Sequence, residues 1–200
     1  DEIKSEKKYP LRLCICTNCR HMQIDEVLDP EMLFRNYVYT TQVSKSIGAF
    51  SLELYDKVMA CYGDSVKKPR VLEIASNDGS ILSVFKSNGC KVLGIDPAEN
   101  IAKIANLKGI PTLPRFFNAE SAKDILKGHK SHDVCIARNV IAHVKELHGF
   151  AEGIGIVLDK SGFAVIEFPH LQKMFEELQY DQVFHEHIGY HSLDSIIRLF

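Results

Sequence analysis

One segment constrains the fold more than any other: Val71-Leu72-Glu73-Ile74-Ala75-Ser76-Asn77-Asp78-Gly79-Ser80. An apolar strand breaks there into small residues and then opens a helix, a turn that lets a ligand approach the backbone. Gly79 and Ser76 keep the surface bare, the helix start offers free N–H groups, and Glu73 or Asp78 can attract a cationic group. The next apolar run ends in Gly94-Ile95-Asp96, which sets a carboxylate about 20 residues beyond the turn, where it can accept both hydroxyls of a ribose. An acidic strand end suits a nucleoside carrying an amino-acid group better than a pyrophosphate, and the G-x-G-x-x-G fingerprint of nicotinamide enzymes is absent. Together the two strand ends outline a nucleoside pocket. The plainer alternative is an ordinary crossover turn, with Asp96 capping the helix after Pro97.

The surrounding pattern agrees with an α/β fold. From 67 onward, strands are expected at 70–75, 91–95, briefly near 112, 133–137 and 163–168, with helices at 80–88, 100–107, 119–126, 144–158 and 193–200, the alternation of a parallel sheet wound by crossover helices. Residues 30–66 read as a helical lead-in, with Met32, Leu33, Tyr37, Phe50, Leu54 and Val58 at helical spacing. Residues 1–29 form a small β element. A net charge of -2 gives no electrostatic reason to expect nucleic acid or an anionic membrane as partner, so a small-molecule substrate is expected. No apolar run has the length of a membrane span and the amino end is not signal-like, which points to the cytoplasm; oligomeric state is not legible.

Cys16-Thr17-Asn18-Cys19 has the spacing of half a tetrahedral zinc site, two thiolates gripping one ion from a turn. His185, His187 and His191 alternate in a way that could ligate a metal, although no H-E-x-x-H accompanies them.

Glu73 to Gly79, Gly94-Ile95-Asp96-Pro97, Arg138-Asn139-Val140-Ile141-Ala142-His143-Val144 and His185-Glu186-His187 resemble, in order along nearly the whole chain, the motifs of the sugar C-methyltransferases. These enzymes use S-adenosylmethionine (SAM) to methylate carbon 3 of nucleotide-linked 4-keto deoxysugars. The resemblance implies a Rossmann-like class I SAM methyltransferase fold behind a zinc-ribbon remnant. It places Glu73, Ser76, Asn77 and Gly79 at the methionine end of SAM, Asp96 on the ribose, and Phe117 and Asn118 beside the adenine. Methylation next to a ketone requires loss of a C–H proton and stabilisation of the enolate oxygen. His187 is the expected base, Glu186 orients or balances it, and His143 helps to polarise the ketone. Tyr37, Tyr39 and Tyr190 are the candidate substrate-binding hydroxyls, the first two in a segment resembling one that closes over the family's site.

Two positions depart from the family pattern. Ala75 stands where Gly is usual, and Phe184 where Tyr is usual. In the family a second Cys pair lies upstream of the knuckle, so Cys16 and Cys19 are expected to hold Zn2+ only in a longer chain. Five parallel strands are expected where such a sheet usually has seven, which suggests a chain truncated at both ends with an incomplete sheet. The competing readings are a SAM methyltransferase acting on an oxygen or nitrogen acceptor, and a non-catalytic SAM and zinc-ribbon interaction module.

Overall fold

The computed structural model of the chain describes residues 7–43, 46–63 and 67–200. It begins with a hairpin, β1 (Leu13–Ile15) and β2 (Met22–Ile24), turned by the Cys16–Cys19 knuckle, where Arg20 adopts a left-handed φ of 60°. A short helix α1 (Pro30–Phe34) follows, opened by Asp29, whose side chain accepts the N–H of Glu31. After an irregular stretch and a 3₁₀ turn at Thr41–Val43, helix α2 (Ile47–Tyr62) leads into the sheet.

Five strands form that sheet: β3 (Arg70–Ile74), β4 (Lys91–Ile95), β5 (Thr112–Leu113), β6 (His132–Arg138) and β7 (Leu158–Glu167). They lie in the order β5-β4-β3-β6-β7 and every pairing is parallel. The crossovers are α3 (Ser80–Ser87), α4 (Glu99–Leu107), α5 (Ala119–Gly128) and α6 (Leu147–Val157). Because successive strand residues face opposite sides, the apolar runs feed two cores. Leu72, Ile74, Leu93, Ile95, Cys135 and Ala137 pack with Phe150, Ile154 and Val157 of α6. Val71, Val134 and Ile136 pack on the other face with Ile81, Leu82 and Phe85 of α3 and Leu54 and Val58 of α2.

Beyond β7 the chain forms α7 (Leu171–Glu176), a two-residue strand β8 (Gly189–Tyr190) and α8 (Leu193–Leu199). β8 pairs antiparallel with β2, so the amino-terminal hairpin and the chain after β7 share a three-stranded sheet. Met22, Ile24, Leu171, Met174, Ile188 and Tyr190 form a third core beneath it. No helix among the described residues is long and apolar enough to cross a membrane.

Several expected elements shift. The continuous helical lead-in is interrupted: Asn36-Tyr37-Val38-Tyr39-Thr40 is irregular, since its aromatic and β-branched residues are poor helix formers and side chains of other elements take up its backbone groups. The helix expected from 144 starts at Leu147, after a 3₁₀ turn at Ile141–His143. β7 starts five residues earlier than expected, reaching back to pair Leu158 with His132 across an irregularity in β6. β2, α7 and β8 are too short to carry a periodic signal, and sequence reasoning missed them.

Candidate functional site

A cleft of about 760 Å³ opens over the carboxyl ends of β3, β4 and β6, where ligands sit in open parallel sheets. Glu73, Ser76, Asn77, Asp96, Phe117 and Asn118 all line it, as do Tyr37, Tyr39, His143, Glu186 and His187. Residues expected from two separate patterns, one for a nucleoside and one for proton transfer, thus meet on one cavity. Two expected residues do not line it. Gly79 caps α3 with a left-handed φ of 74°, and a Cβ there would lie 2.9 Å from the Ile110 side chain, so a glycine is required for the turn to pack. Tyr190 is 2% exposed in the core under the hairpin, behind His187 and edge-on to its ring at 6.4 Å, with its hydroxyl toward the Gln182 carbonyl.

The turn after β3 is built by its own polar groups. Asp96 accepts the N–H of Asn77 at 2.8 Å through Oδ2 and the N–H of Ala98 at 2.9 Å through Oδ1. It therefore performs the capping job of the plainer reading, yet each carboxylate oxygen keeps a lone pair for a ligand hydroxyl. Burial raises its pKa, opposed by those two N–H groups. Glu73 is 3% exposed, its Oε2 has no partner among the described residues, and burial pushes its pKa up to about 8 despite the opposing charge of Arg138. The Ser76 hydroxyl is likewise buried without a partner. Orphaned polar atoms are costly, and at the inner end of a cleft they fit a cationic group that would satisfy them. The wall opposite is apolar and aromatic, with Phe117 edge-on to Phe150 at 5.7 Å, and Asn118 opens α5 with a reciprocal capping box shared with Ser121. A hydrophobic slot beside a hydrogen-bonding turn suits a purine. The residues present fit SAM from methionine end to adenine.

Ala75 lines the cleft with φ at 54°, a left-handed conformation that costs a residue with a Cβ about 1–2 kcal/mol. Ala75→Gly is expected to relieve that strain, with part of the gain offset by unfolded-chain entropy, for a net stabilisation of about 1 kcal/mol. Thermal unfolding should shift up by about 2–4 °C. An unchanged or lower midpoint would remove backbone strain as the consequence of this departure.

Sequence reasoning missed Arg138 and Phe50. Arg138 ends β6 in a two-pronged pair with Glu167, at 2.9 Å and 3.2 Å, while its guanidinium lies 4.0 Å from the centroid of the Phe50 ring. Both line the cleft. Arg138 stood inside a quoted motif without a role, and Phe50 carried only a helical-spacing signal.

At the other end, the His143 and His187 rings lie 4.9 Å apart. His143 donates Nδ1–H to the Glu186 carbonyl at 2.7 Å and is flanked by the Asn139 carbonyl. His187 donates Nδ1–H to the Gln182 carbonyl at 2.9 Å, a bond that fixes the tautomer and leaves Nε2 an unprotonated lone pair. Desolvation lowers both pKa values, so both rings are neutral at neutral pH. Phe184 covers His187 at 4.1 Å between ring centroids. The Tyr37 hydroxyl donates to Glu186 Oε2 at 3.3 Å; burial, then the Glu186 charge, raises its pKa. His185 turns away toward the Pro10 carbonyl and His191 stacks on His21 at 4.7 Å, so the alternating histidines do not converge on one point.

Cys16 and Cys19 sit in the hairpin turn, away from the cleft lining. Backbone N–H groups of Cys19 and Asn18 hold the Cys16 thiol below its usual pKa, which favours the thiolate a metal needs. Among the described residues no three His, Cys, Asp or Glu side chains come together as a metal site, so these residues alone do not complete a zinc shell.

The sheet order, the turn after β3 and the acid ending β4 define a Rossmann-like methyltransferase fold. The chain belongs to the methyltransferase-domain family: a family model described as "Methyltransferase domain" matches residues 48–200, and another, "Putative zinc binding domain", matches 1–34. It is 32% identical to the C-methyltransferase NovU of Streptomyces niveus across 100% of this chain and 47% of NovU, so it spans about half the length of that curated relative. A SAM-dependent methyltransferase of Archaeoglobus fulgidus shares the fold with a TM-score of 0.62 and 18% identity, over 77% of this chain and 66% of that one. The plantazolicin methyltransferase BpumL, solved in complex with SAH, does so with a TM-score of 0.55 and 17% identity, over 76% and 60%.

Proposed function

We propose that this chain carries the donor pocket and the proton-transfer residues of a SAM-dependent C-methyltransferase acting beside the ketone of a nucleotide-linked 4-keto deoxysugar. The observation that carries the proposal is the shared cleft: Glu73 and Asp96 at one end, and His187 with a bare Nε2 beside Glu186 and Tyr37 at the other. SAM, when bound, supplies an electrophilic methyl carbon on a sulfonium. Glu73, Ser76 and Asn77 would hold its amino-acid end, Asp96 its ribose, and Phe117 and Asn118 its base.

His187 removes the proton from the carbon next to the ketone through Nε2, because its Nδ1–H is committed to the Gln182 carbonyl. Glu186 lies beside the imidazolium that forms and balances its charge. Tyr37, kept protonated by burial, steadies the Glu186 carboxylate through its hydroxyl, and the His143 N–H expected to polarise the ketone is committed to the Glu186 carbonyl, so His143 steadies the same residue. Holding both reactants in one cleft supplies the alignment, worth about 7–11 kcal/mol in favourable intramolecular models. Cys16 and Cys19 would give two thiolates to a structural Zn2+ whose remaining ligands come from beyond the described residues.

The test is product analysis with the full-length enzyme, SAM and a 4-keto deoxysugar nucleotide. A new carbon-bound methyl is expected. In deuterium oxide without SAM, the hydrogen on the acceptor carbon should wash out, since proton removal by His187 does not require the methyl donor. Methylation on oxygen or nitrogen, with no washout, would overturn the proposal.

A further inference from the structure

We infer that Asn100 is a positioning residue, holding the Tyr37 phenol on Glu186 through the Tyr37 backbone; the inference rests on the catalytic reading of that cleft. Tyr37 lies in an irregular stretch with no partner strand among the described residues, and such a stretch keeps one conformation only if its polar backbone groups are satisfied. Asn100, in the first turn of α4, satisfies both groups of this one residue. Its Oδ1 accepts the Tyr37 N–H at 3.2 Å and its Nδ2 donates to the Tyr37 carbonyl at 2.7 Å, so a side-chain amide copies the pairing a neighbouring strand would give.

The clamp falls on the residue whose hydroxyl reaches Glu186 at 3.3 Å. Asn100 does not line the cleft and is exposed, so it adds nothing to a core. Nor does it serve its own helix: α4 opens on Ala98 without a side-chain cap, while the amide next to that end is spent on the strap. Contacts on either side continue the arrangement. Glu99 pairs with Arg35 at 3.0 Å, and Asn77 donates to the Tyr39 carbonyl and accepts the Thr41 N–H. Phe34 packs on the Tyr37 ring at 5.9 Å, but among the described residues the bonds to the Tyr37 backbone come from Asn100. Its loss leaves the ligand-contacting groups intact and frees the phenol to swing away from Glu186.

The first arm of the test is independent of activity. In Asn100→Ala, amide hydrogen exchange at Tyr37 should accelerate about tenfold or more, as loss of two hydrogen bonds requires, with exchange at Leu82 and Ile136 unchanged. The second arm uses the full-length enzyme: Asn100→Ala should lower kcat about tenfold with SAM affinity unchanged, and Asn100→Asp, which keeps only the acceptor, should fall between. In a Tyr37→Phe background the Asn100→Ala loss should shrink to less than about twofold, because an effect transmitted through the phenol vanishes with it. Unchanged exchange at Tyr37, or an undiminished loss in the Tyr37→Phe background, overturns the assignment. An enzyme that never methylates a 4-keto sugar but shows the exchange change sinks the proposed activity and leaves the clamp standing.

Discussion

His187→Ala in the full-length enzyme is expected to lower methyl transfer by about 10²–10⁴, the usual contribution of a positioned base, while SAM affinity stays within about twofold. Washout of hydrogen from the acceptor carbon should fall with it. The prediction singles out His187 over His143 on geometry. His143 is braced by the Glu186 carbonyl, with the Asn139 carbonyl beside its ring, whereas His187 is held at Nδ1 alone. Desolvation lowers the His187 pKa, partly opposed by the Gln182 carbonyl and Glu186, so the neutral form persists below the usual 6.5. The acid limb of kcat/KM should therefore fall below pH 6.5. His143→Ala should slow the reaction through loss of its bond to the loop carrying Glu186, without abolishing washout. If washout survives in His187→Ala and disappears in His143→Ala, the roles are reversed.

The central strands β3, β4 and β6 were readable because each is a largely buried apolar run of five to seven residues bounded by turn residues, and burial on both faces leaves little freedom in where such a run can go. The same physics hid the second sheet. β2 and β8 are three and two residues long, and their pairing depends on contacts between positions 22 and 190 that no local pattern records. Tyr190 was misplaced for that reason. It sits three residues past His187, close enough in sequence to be drawn into the site, and the β2 pairing buries it behind His187, edge-on to that ring at 6.4 Å, rather than in the cleft lining. Gly79 was misassigned differently: its sequence signal, a glycine in the turn, was real, but the constraint comes from Ile110 against the backbone rather than from a ligand. Side-chain clamps such as Asn100 on Tyr37 leave no periodic trace, since they join elements more than sixty residues apart.

Glu73→Gln should weaken SAM binding and stabilise the ligand-free chain, and the pH dependence of each effect identifies its cause. Glu73 holds its proton up to about pH 8 in the empty site, because burial penalises the charged form more than Arg138 favours it. A cationic amino-acid group entering beside it needs the carboxylate, so binding below pH 8 must expel a proton. Affinity of the parent protein should then rise by up to about tenfold per pH unit toward pH 8 and level off above it, with nearly one proton released per SAM bound at pH 6–7. In the Gln variant, affinity should be lower at pH 8 and nearly flat with pH. For folding the sign is opposite. Below the ordinary carboxylate pKa of 4.5 both folded and unfolded chains are protonated at this site, and burial carries no charge penalty. Between 4.5 and about 8 the unfolded chain releases the proton while the folded chain keeps it, so stability falls as pH rises, and the loss is complete above about 8. Glu73→Gln removes that contribution, and its thermal midpoint without SAM should exceed the parent's by a margin that widens from pH 5 to pH 8. Calorimetric titration in buffers of different ionisation enthalpy measures the proton release, and scanning calorimetry measures the margin. Equal SAM affinity of the two proteins at pH 8 would take Glu73 out of the cofactor site; a margin that does not change with pH would mean that its carboxyl is not held neutral.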